Sequence, residues 1–380
     1  MHLKYIVLLV GLISMFFASL PKYKFRYGLE TAWLIIFAFL AIRYDFGNDY
    51  MPYLNGYNEI NNLSVFSIDK EAHFESGWQL LCRLFKPLGF SVMVMVLSAF
   101  ECFIFYRFIK QYVPEKYSWF AIFIYVFNPS LMLLGASMMR QMLAIAIFVW
   151  SFKYIRERRL LPFILLITIA TQFHSSAIVL YPFYLLGYLD KIEFSWRVSV
   201  GILVAYIMLS TLSANMQFGG VVEGIVEVVG EEEALEYYTD TQDVSKMHVG
   251  NNTGMGTIIM YLIFGYLVIT IGQYPKYSRI MFLLLILGTF VRPLANTLHA
   301  LGRFVYYFSI FQVVCYPILL FCAVEDRRNA KIDTFTLSQA IRMIVLLCII
   351  VTTIRGYIGF FNSPIWVEKF SKYHTIFEVI

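Results

Sequence analysis

Charge is what this chain has least of. Only 14% of its 380 residues are Asp, Glu, Lys or Arg, against about 25% in a soluble domain. That shortage excludes an ordinary soluble globule. With 59% hydrophobic residues and a mean hydropathy of +0.68, the composition is that of a chain that lives in lipid. Cysteine is scarce and odd in number: Cys82, Cys102, Cys315, Cys322 and Cys348. They lie in or beside apolar runs without CxxC or Cys/His spacing. This excludes a complete disulfide framework and leaves them as small core residues. There is no GxSxG, P-loop, HExxH or strand-bound GxGxxG, no internal repeat beyond the hydropathy rhythm and no low-complexity linker. Neither a metal nor a cofactor is expected. The net charge of +5 reads as basic anchors on one side of a membrane, not as a nucleic-acid footprint.

What the chain does have is apolar runs of spanning length, which need roughly 20 residues each. They predict an all-α, polytopic integral membrane protein, residues 1–380 forming one domain. About 12 transmembrane helices are expected, near 4–20, 28–43, 89–109, 118–134, 138–154, 160–173, 175–189, 196–213, 256–273, 279–298, 302–323 and 340–356. The stretch 74–88 is too short and too charged to span, and reads as an interfacial or re-entrant amphipathic helix. Basic residues crowd one alternating set of connections, such as Lys22, Lys24 and Arg26, and Lys153, Arg156, Arg158 and Arg159. By the positive-inside rule that set is cytoplasmic, so both termini face outward. The first residues resemble the start of a signal peptide, but no small-x-small cleavage site follows, and the run is kept as a first span. The outer loops are 44–88 and 214–255, the second strongly acidic.

Charges that do not fit the anchoring pattern single out candidate site residues. Arg43 ends the second expected span, Arg140 opens the fifth, Arg292 lies inside LILGTFVRPLAN, and Arg303 opens the eleventh. All four are assigned to the outer half. An ionisable group in a membrane segment is costly and faces a polar cavity or a partner. Guanidinium binds phosphate oxygens bidentately, so a cavity with several arginines suits a pyrophosphate better than a neutral sugar. The alternative is a local carboxylate partner, with Asp45 and Asp49 near Arg43, or a side chain that snorkels to the interface. His174, in QFHSSAIV, reads either as a packing residue or as a hydrogen-bond donor or proton shuttle. Joining sugars needs a base on the acceptor hydroxyl and positive charge at a departing phosphate. RYDFGNDY, residues 43–50, supplies both types, and Gly47 permits a tight turn there. Tyr44, Tyr50, Tyr53 and Tyr57 read as sugar-stacking rings or as an interfacial aromatic belt.

The ordered pattern Arg43, Gly47, Asp49, Tyr50, Tyr53 resembles the EpsG family of bacterial polysaccharide polymerases, within the Wzy-type group. Further agreement comes from Glu75 in HFESGWQLL, Arg140–Gln141 at a span start, His174 followed by small residues, Arg303 in GRFVYYF, and the aromatic tail SPIWVEKFSKYHTIF. The resemblance covers roughly 40–375. It implies a glycosyltransferase of the bacterial inner membrane, acting on its periplasmic or extracellular face. Donor and acceptor would be undecaprenyl-pyrophosphate-linked oligosaccharides in membrane lipid, with a chain-length regulator an open further partner. By that resemblance Asp49, Glu75 and His174 are candidate catalytic residues. Arg43, Asp45, Tyr50, Tyr53, Arg140, Gln141, Arg292 and Arg303 are candidate substrate-binding residues. A ligase using the same donor, or a flippase for the lipid-linked unit, is the alternative.

Overall fold

The computed structural model describes residues 2–60, 74–191, 195–215, 254–275, 277–295, 299–329 and 337–378. It is 81% helical and contains no barrel, so the all-α reading of the hydropathy rhythm holds. The helices are α1 (Leu3–Ser19), α2 (Gly28–Ala41), α3 (Tyr50–Glu59), α4 (Ser76–Phe85), α5 (Phe90–Tyr112), α6 (Ser118–Phe127), α7 (Leu133–Ser137), α8 (Met139–Arg156), α9 (Leu160–Thr171), α10 (Trp196–Asn215), α11 (Met255–Ile269), α12 (Arg279–Ala295), α13 (His299–Ser309), α14 (Gln312–Asn329), α15 (Leu337–Asn362) and α16 (Pro364–Val367). A 3-10 segment, Ser175–Lys191, follows α9.

Each expected span coincides with helix, but not always with one long helix. Among the described residues, three helices are long and apolar enough to cross a membrane: Phe90–Tyr112, Trp196–Ser213 and Gln339–Asn362. A fourth arises if the broken pair Gly302–Ser309 and Gln312–Glu325 counts as one span. Shorter apolar helices accompany them, and they are membrane-like in their exposure: Leu161 is 79% exposed, Ile178 65% and Ile258 58%. The expected span 118–134 is broken, α6 ending at Phe127 and α7 beginning at Leu133. The expected span 175–189 is wound as 3-10 helix. Because 3-10 helix rises about 2.0 Å per residue, its 17 residues cover roughly 34 Å, comparable to a hydrocarbon core of about 30 Å. Burial there recurs at His174, Ala177 and Leu180, and the period of three matches the tighter winding.

The described residues form two compact groups. One comprises Met1–Ile192, Tyr274–Met281 and Ser309–Ile380, and the other Glu193–Gln273 and Phe282–Phe308. In the first group α6 is buried on nearly every side, which its all-apolar sequence SWFAIFIYVF permits. Helices α1 and α14 pack against it, and α5 and α9 pack against α8. Small residues allow close helix approach, as where Gly11 of α1 faces Phe127 and Val126. In the second group α10 packs on α11, with Tyr206 against Phe264 at 4.0 Å between ring centroids.

The two long segments between helices, 44–88 and 214–255, divide differently from expectation. Residues 74–88 do hold a short amphipathic helix, α4. The preceding stretch, read as loop, contains α3. Its signal was the spacing Tyr50, Tyr53, Tyr57, whose side chains are all buried. Pro52 is tolerated there because it falls in the first turn, where no intrahelical N–H bond is lost. The acidic segment 214–255 lies, apart from its ends, outside the described residues.

Candidate functional site

RYDFGND is folded tightly against the end of the membrane helices by three kinds of contact. Asp45 (φ 43°) and Gly47 (φ 78°) both take left-handed backbone, which aspartate tolerates and glycine accepts without strain. Gly47 lies against the Ser137 side chain and the Phe370 ring, where a Cβ would clash. Phe46, between them, is 2% exposed. The aromatic C-terminal tail closes the other side. Strand β1 (Arg43–Tyr44) pairs antiparallel with β2 (His374–Thr375), and Ile376 N–H donates to the Ile42 carbonyl at 3.0 Å. Tyr373 stacks on Phe39 at 4.8 Å and donates its hydroxyl to the Phe39 carbonyl. The N-terminus meets the same tail through a His2–Lys372 bridge and the bond from Leu3 N–H to the Ser371 carbonyl at 3.0 Å.

The α7–α8 junction is the hub of the site. The Ala136 carbonyl accepts from Arg43 Nη2 at 3.2 Å, and Ser137 Oγ accepts from the Asp49 N–H at 3.2 Å. Three residues later Arg140 stands in the first turn of α8. One broken stretch of five residues thus orients Arg43, Asp49 and Arg140.

Arg43 is 1% exposed. Besides Ala136, its guanidinium donates to the Leu40 carbonyl and to Ser98 Oγ (2.6 Å). The side chain of Glu101 is buried as well, 3% exposed. Arg140 is differently placed. It forms an ion pair with Glu75, with both side chains about one-fifth exposed. The Tyr53 and Phe74 rings flank it at 5.5 and 5.0 Å. The other oxygen of Glu75 accepts the N–H of Ser175 at 3.0 Å, so Glu75 ties Arg140 to the residue after His174. Gly77 N–H on the Gln172 carbonyl (2.9 Å) and Ser76 Oγ on Gln172 Oε1 (2.6 Å) dock the start of α4 on the same turn.

A cation in the first turn of a helix opposes the macrodipole, whose N-terminus is already positive. Arg140 therefore needs an anion nearby. The start of α8 and the guanidinium together form an anion-attracting end, which Glu75 occupies here. Burial pushes the Tyr53 phenol up, and the neighbouring Arg140 charge pulls it partly back. It stays protonated and able to donate. His174 is 7% exposed. Its Nδ1 faces both the N–H of Ser176 (3.3 Å) and Ser176 Oγ (2.7 Å). A backbone N–H can only donate, so Nδ1 accepts and the proton of the neutral ring resides on Nε2.

The structure thus brings together Tyr53, Glu75 and Arg140, with His174 on the docked turn and Gln141 buried beside Arg140. Arg43, Asp45 and Tyr50 lie on the RYDFGND side, Tyr50 edge-on to Tyr44 at 5.5 Å. Arg292 and Arg303 belong to the second group of helices and are exposed there. Ser137, Ser98 and Phe74 were not anticipated. They carry no charge, and only the fold brings Ser98 to Arg43, Phe74 to Arg140 and Ser137 to the Asp49 N–H. No group of three or more His, Cys, Asp or Glu side chains that could hold a metal ion occurs among the described residues.

No curated protein sequence matches this chain, and no solved structure does. A family model described as the EpsG family matches residues 29–375, from the start of α2 to β2. The match spans the RYDFGND turn, the Arg140–Glu75 pair, the His174 turn and the strand that closes them. The chain is a helical membrane protein that belongs to the EpsG family, a family of polysaccharide polymerases.

Proposed function

We propose that this protein polymerises glycan repeat units carried on polyprenyl pyrophosphate at the outer face of the bacterial inner membrane. The observation that carries the reading is Arg140. It is a guanidinium at a helix N-terminus, flanked by aromatic rings and balanced by one carboxylate, within a chain of a polysaccharide-polymerase family. The C-terminal tail meets residues 42–44 and residues 2–3 meet that tail, which supports a topology in which they share one face with the site. The basic connections favour the cytoplasm for the other face.

In the proposed reaction a sugar hydroxyl of one lipid-linked unit attacks the anomeric carbon of another. The bond from that carbon to the pyrophosphate oxygen breaks, and the polyprenyl pyrophosphate departs with the electron pair. Arg140 stabilises the developing charge, taking phosphate oxygens in place of Glu75. His174, with its proton on Nε2, suits a donor to phosphate. Asp49 is the candidate base for the attacking hydroxyl, because Glu75 is engaged by Arg140. Arg43 holds the turn that carries Asp49. Arg292 and Arg303 are further candidates for the pyrophosphate.

The test is Arg140→Ala in the host, with the surface glycan resolved on a gel. The expected result is loss of the long ladder while single repeat units still reach the surface and the variant still inserts. A normal ladder removes Arg140 from the reaction. Polymer accumulating on the lipid carrier after deletion of the gene would make the protein a ligase instead.

A further inference from the structure

Helix α8 carries Arg140 in its first turn and ends at Arg156. At 1.5 Å per residue the two arginines lie about 24 Å apart along the axis, and the far end is basic. Residues 153–159 read KYIRERR, four cations against one carboxylate. Arg158 takes left-handed backbone, φ 55°, in the tight reversal into α9, which is uncommon for a residue other than glycine.

These cations are held on rings. Lys153 Nζ and the Arg159 guanidinium lie 4.7 and 5.4 Å from the centroid of one ring, Tyr154. The Arg158 guanidinium lies 5.1 Å from the Tyr188 ring and donates from Nε to the Gly187 carbonyl at 3.0 Å. Arg156 lies 5.2 Å from the Tyr112 ring and donates to its hydroxyl at 3.0 Å. Stacking covers the face of a guanidinium and leaves its N–H edge to oxygen acceptors. Side chains ordered in advance lose less entropy when an anion arrives.

The charge of this group is poorly balanced. Lys22, Lys110 and Lys116, on or beside neighbouring connections, pair with Glu115, Glu30 and Glu325. At the α8–α9 turn Glu157 meets Arg159 at 3.6 Å, with both side chains at least half exposed. Lys153 has no carboxylate partner among the described residues. Two like charges at one ring repel, and an anion between them relieves that repulsion.

Apolar surface adjoins the cations. Leu160, Leu161 and Leu165 at the start of α9 are exposed, and so is Trp150, one turn before Tyr154 on the same face of α8. Tryptophan and tyrosine favour the headgroup level of a bilayer. A free phosphate or nucleotide has no use for exposed leucines. A phospholipid offers a phosphate to the cations and acyl chains to the leucines.

We propose that the α8–α9 turn binds the headgroup of an anionic glycerophospholipid such as phosphatidylglycerol, at the end of α8 remote from Arg140. The inference does not use the polymerase reading.

The full-length protein in detergent is equilibrated with equal amounts of phosphatidylglycerol and phosphatidylcholine. Its bound lipid is weighed by native mass spectrometry. The expected result is preferential retention of phosphatidylglycerol by the wild type, weakened at least about tenfold in Lys153→Gln/Arg159→Gln. Lys22→Gln/Lys24→Gln removes the same charge from the α1–α2 connection and should retain lipid as the wild type does. An unchanged Tm in detergent shows that each variant is folded. Absence of a preference in the wild type overturns the proposal, as does unchanged retention in Lys153→Gln/Arg159→Gln. Equal loss in the two variants also overturns it, since net charge alone would then attract the lipid. Release of phosphatidylglycerol by inorganic phosphate would give the turn to a free anion. Loss of a second copy of the chain, instead of lipid, would give it to a subunit contact. Either result ends the lipid assignment.

Discussion

Arg43 and Arg140 are the same residue type, reached by the same broken stretch of chain, and the fold gives them opposite surroundings. Arg43 is sealed, 1% exposed, and its donors go to the Leu40 and Ala136 carbonyls and the Ser98 hydroxyl. Arg140 is partly open, flanked by rings, and its charge meets a single carboxylate. A guanidinium bonded to two carbonyls and a hydroxyl fixes its neighbours. One paired with a single, partly exposed carboxylate at a helix N-terminus can exchange that partner for a phosphate. The identity of an arginine therefore says less than whether its partners can be replaced.

Substitution separates the two. Arg43→Ala strands three buried acceptors, the Leu40 and Ala136 carbonyls and Ser98 Oγ. The expected loss is at least about 1–3 kcal/mol of stability, seen as a fall in membrane yield or in Tm in detergent. A variant that folds normally but makes no ladder would instead move Arg43 into the substrate site and end the contrast. Arg140→Ala should cost polymerisation about 10²–10³-fold, the scale of removing one charge-stabilising donor, with a much smaller fall in Tm. Glu75→Gln drops the charge and keeps one acceptor oxygen, so it retains only one of the bonds from Arg140 and Ser175. If Glu75 holds Arg140 and is not the base, ladder formation should fall only about tenfold. Loss as complete as in Arg140→Ala would make Glu75 the base. Tyr373→Phe removes one bond to the Phe39 carbonyl. It should lower stability by about 0.5–1.5 kcal/mol and leave the ladder length unchanged, as a brace on the Arg43 side would.

How much of this was legible in the sequence differs along the chain. Long apolar runs gave α5, α10 and α15 within a few residues, because hydropathy over a spanning length is a local property. The break between α6 and α7 was not seen. Asn128, Pro129 and Ser130 mark it, but they are a short interruption between two apolar runs. Helix α3 was missed because its buried residues are tyrosines, which read equally as an interfacial belt. The charges of Arg43, Glu75, Arg140 and His174 stood out because charge is rare here. Their partners, such as Ser98 with Arg43 and Ser175 with Glu75, lie 55 and 100 residues away. The tail was recognised as aromatic, but its pairing with Arg43–Tyr44 depends on contacts across the whole chain.

The sequence by itself determined that the chain is a helical membrane protein, which charges in it are costly, and the family to which it belongs. These follow from composition, period and local pattern. Only the tertiary structure decided which arginine is locked and which is open. It also decided that Glu75 joins Arg140 to the His174 turn. Those outcomes depend on which backbone carbonyls, hydroxyls and rings come within bonding distance, and residues far apart in sequence meet only when the helices pack.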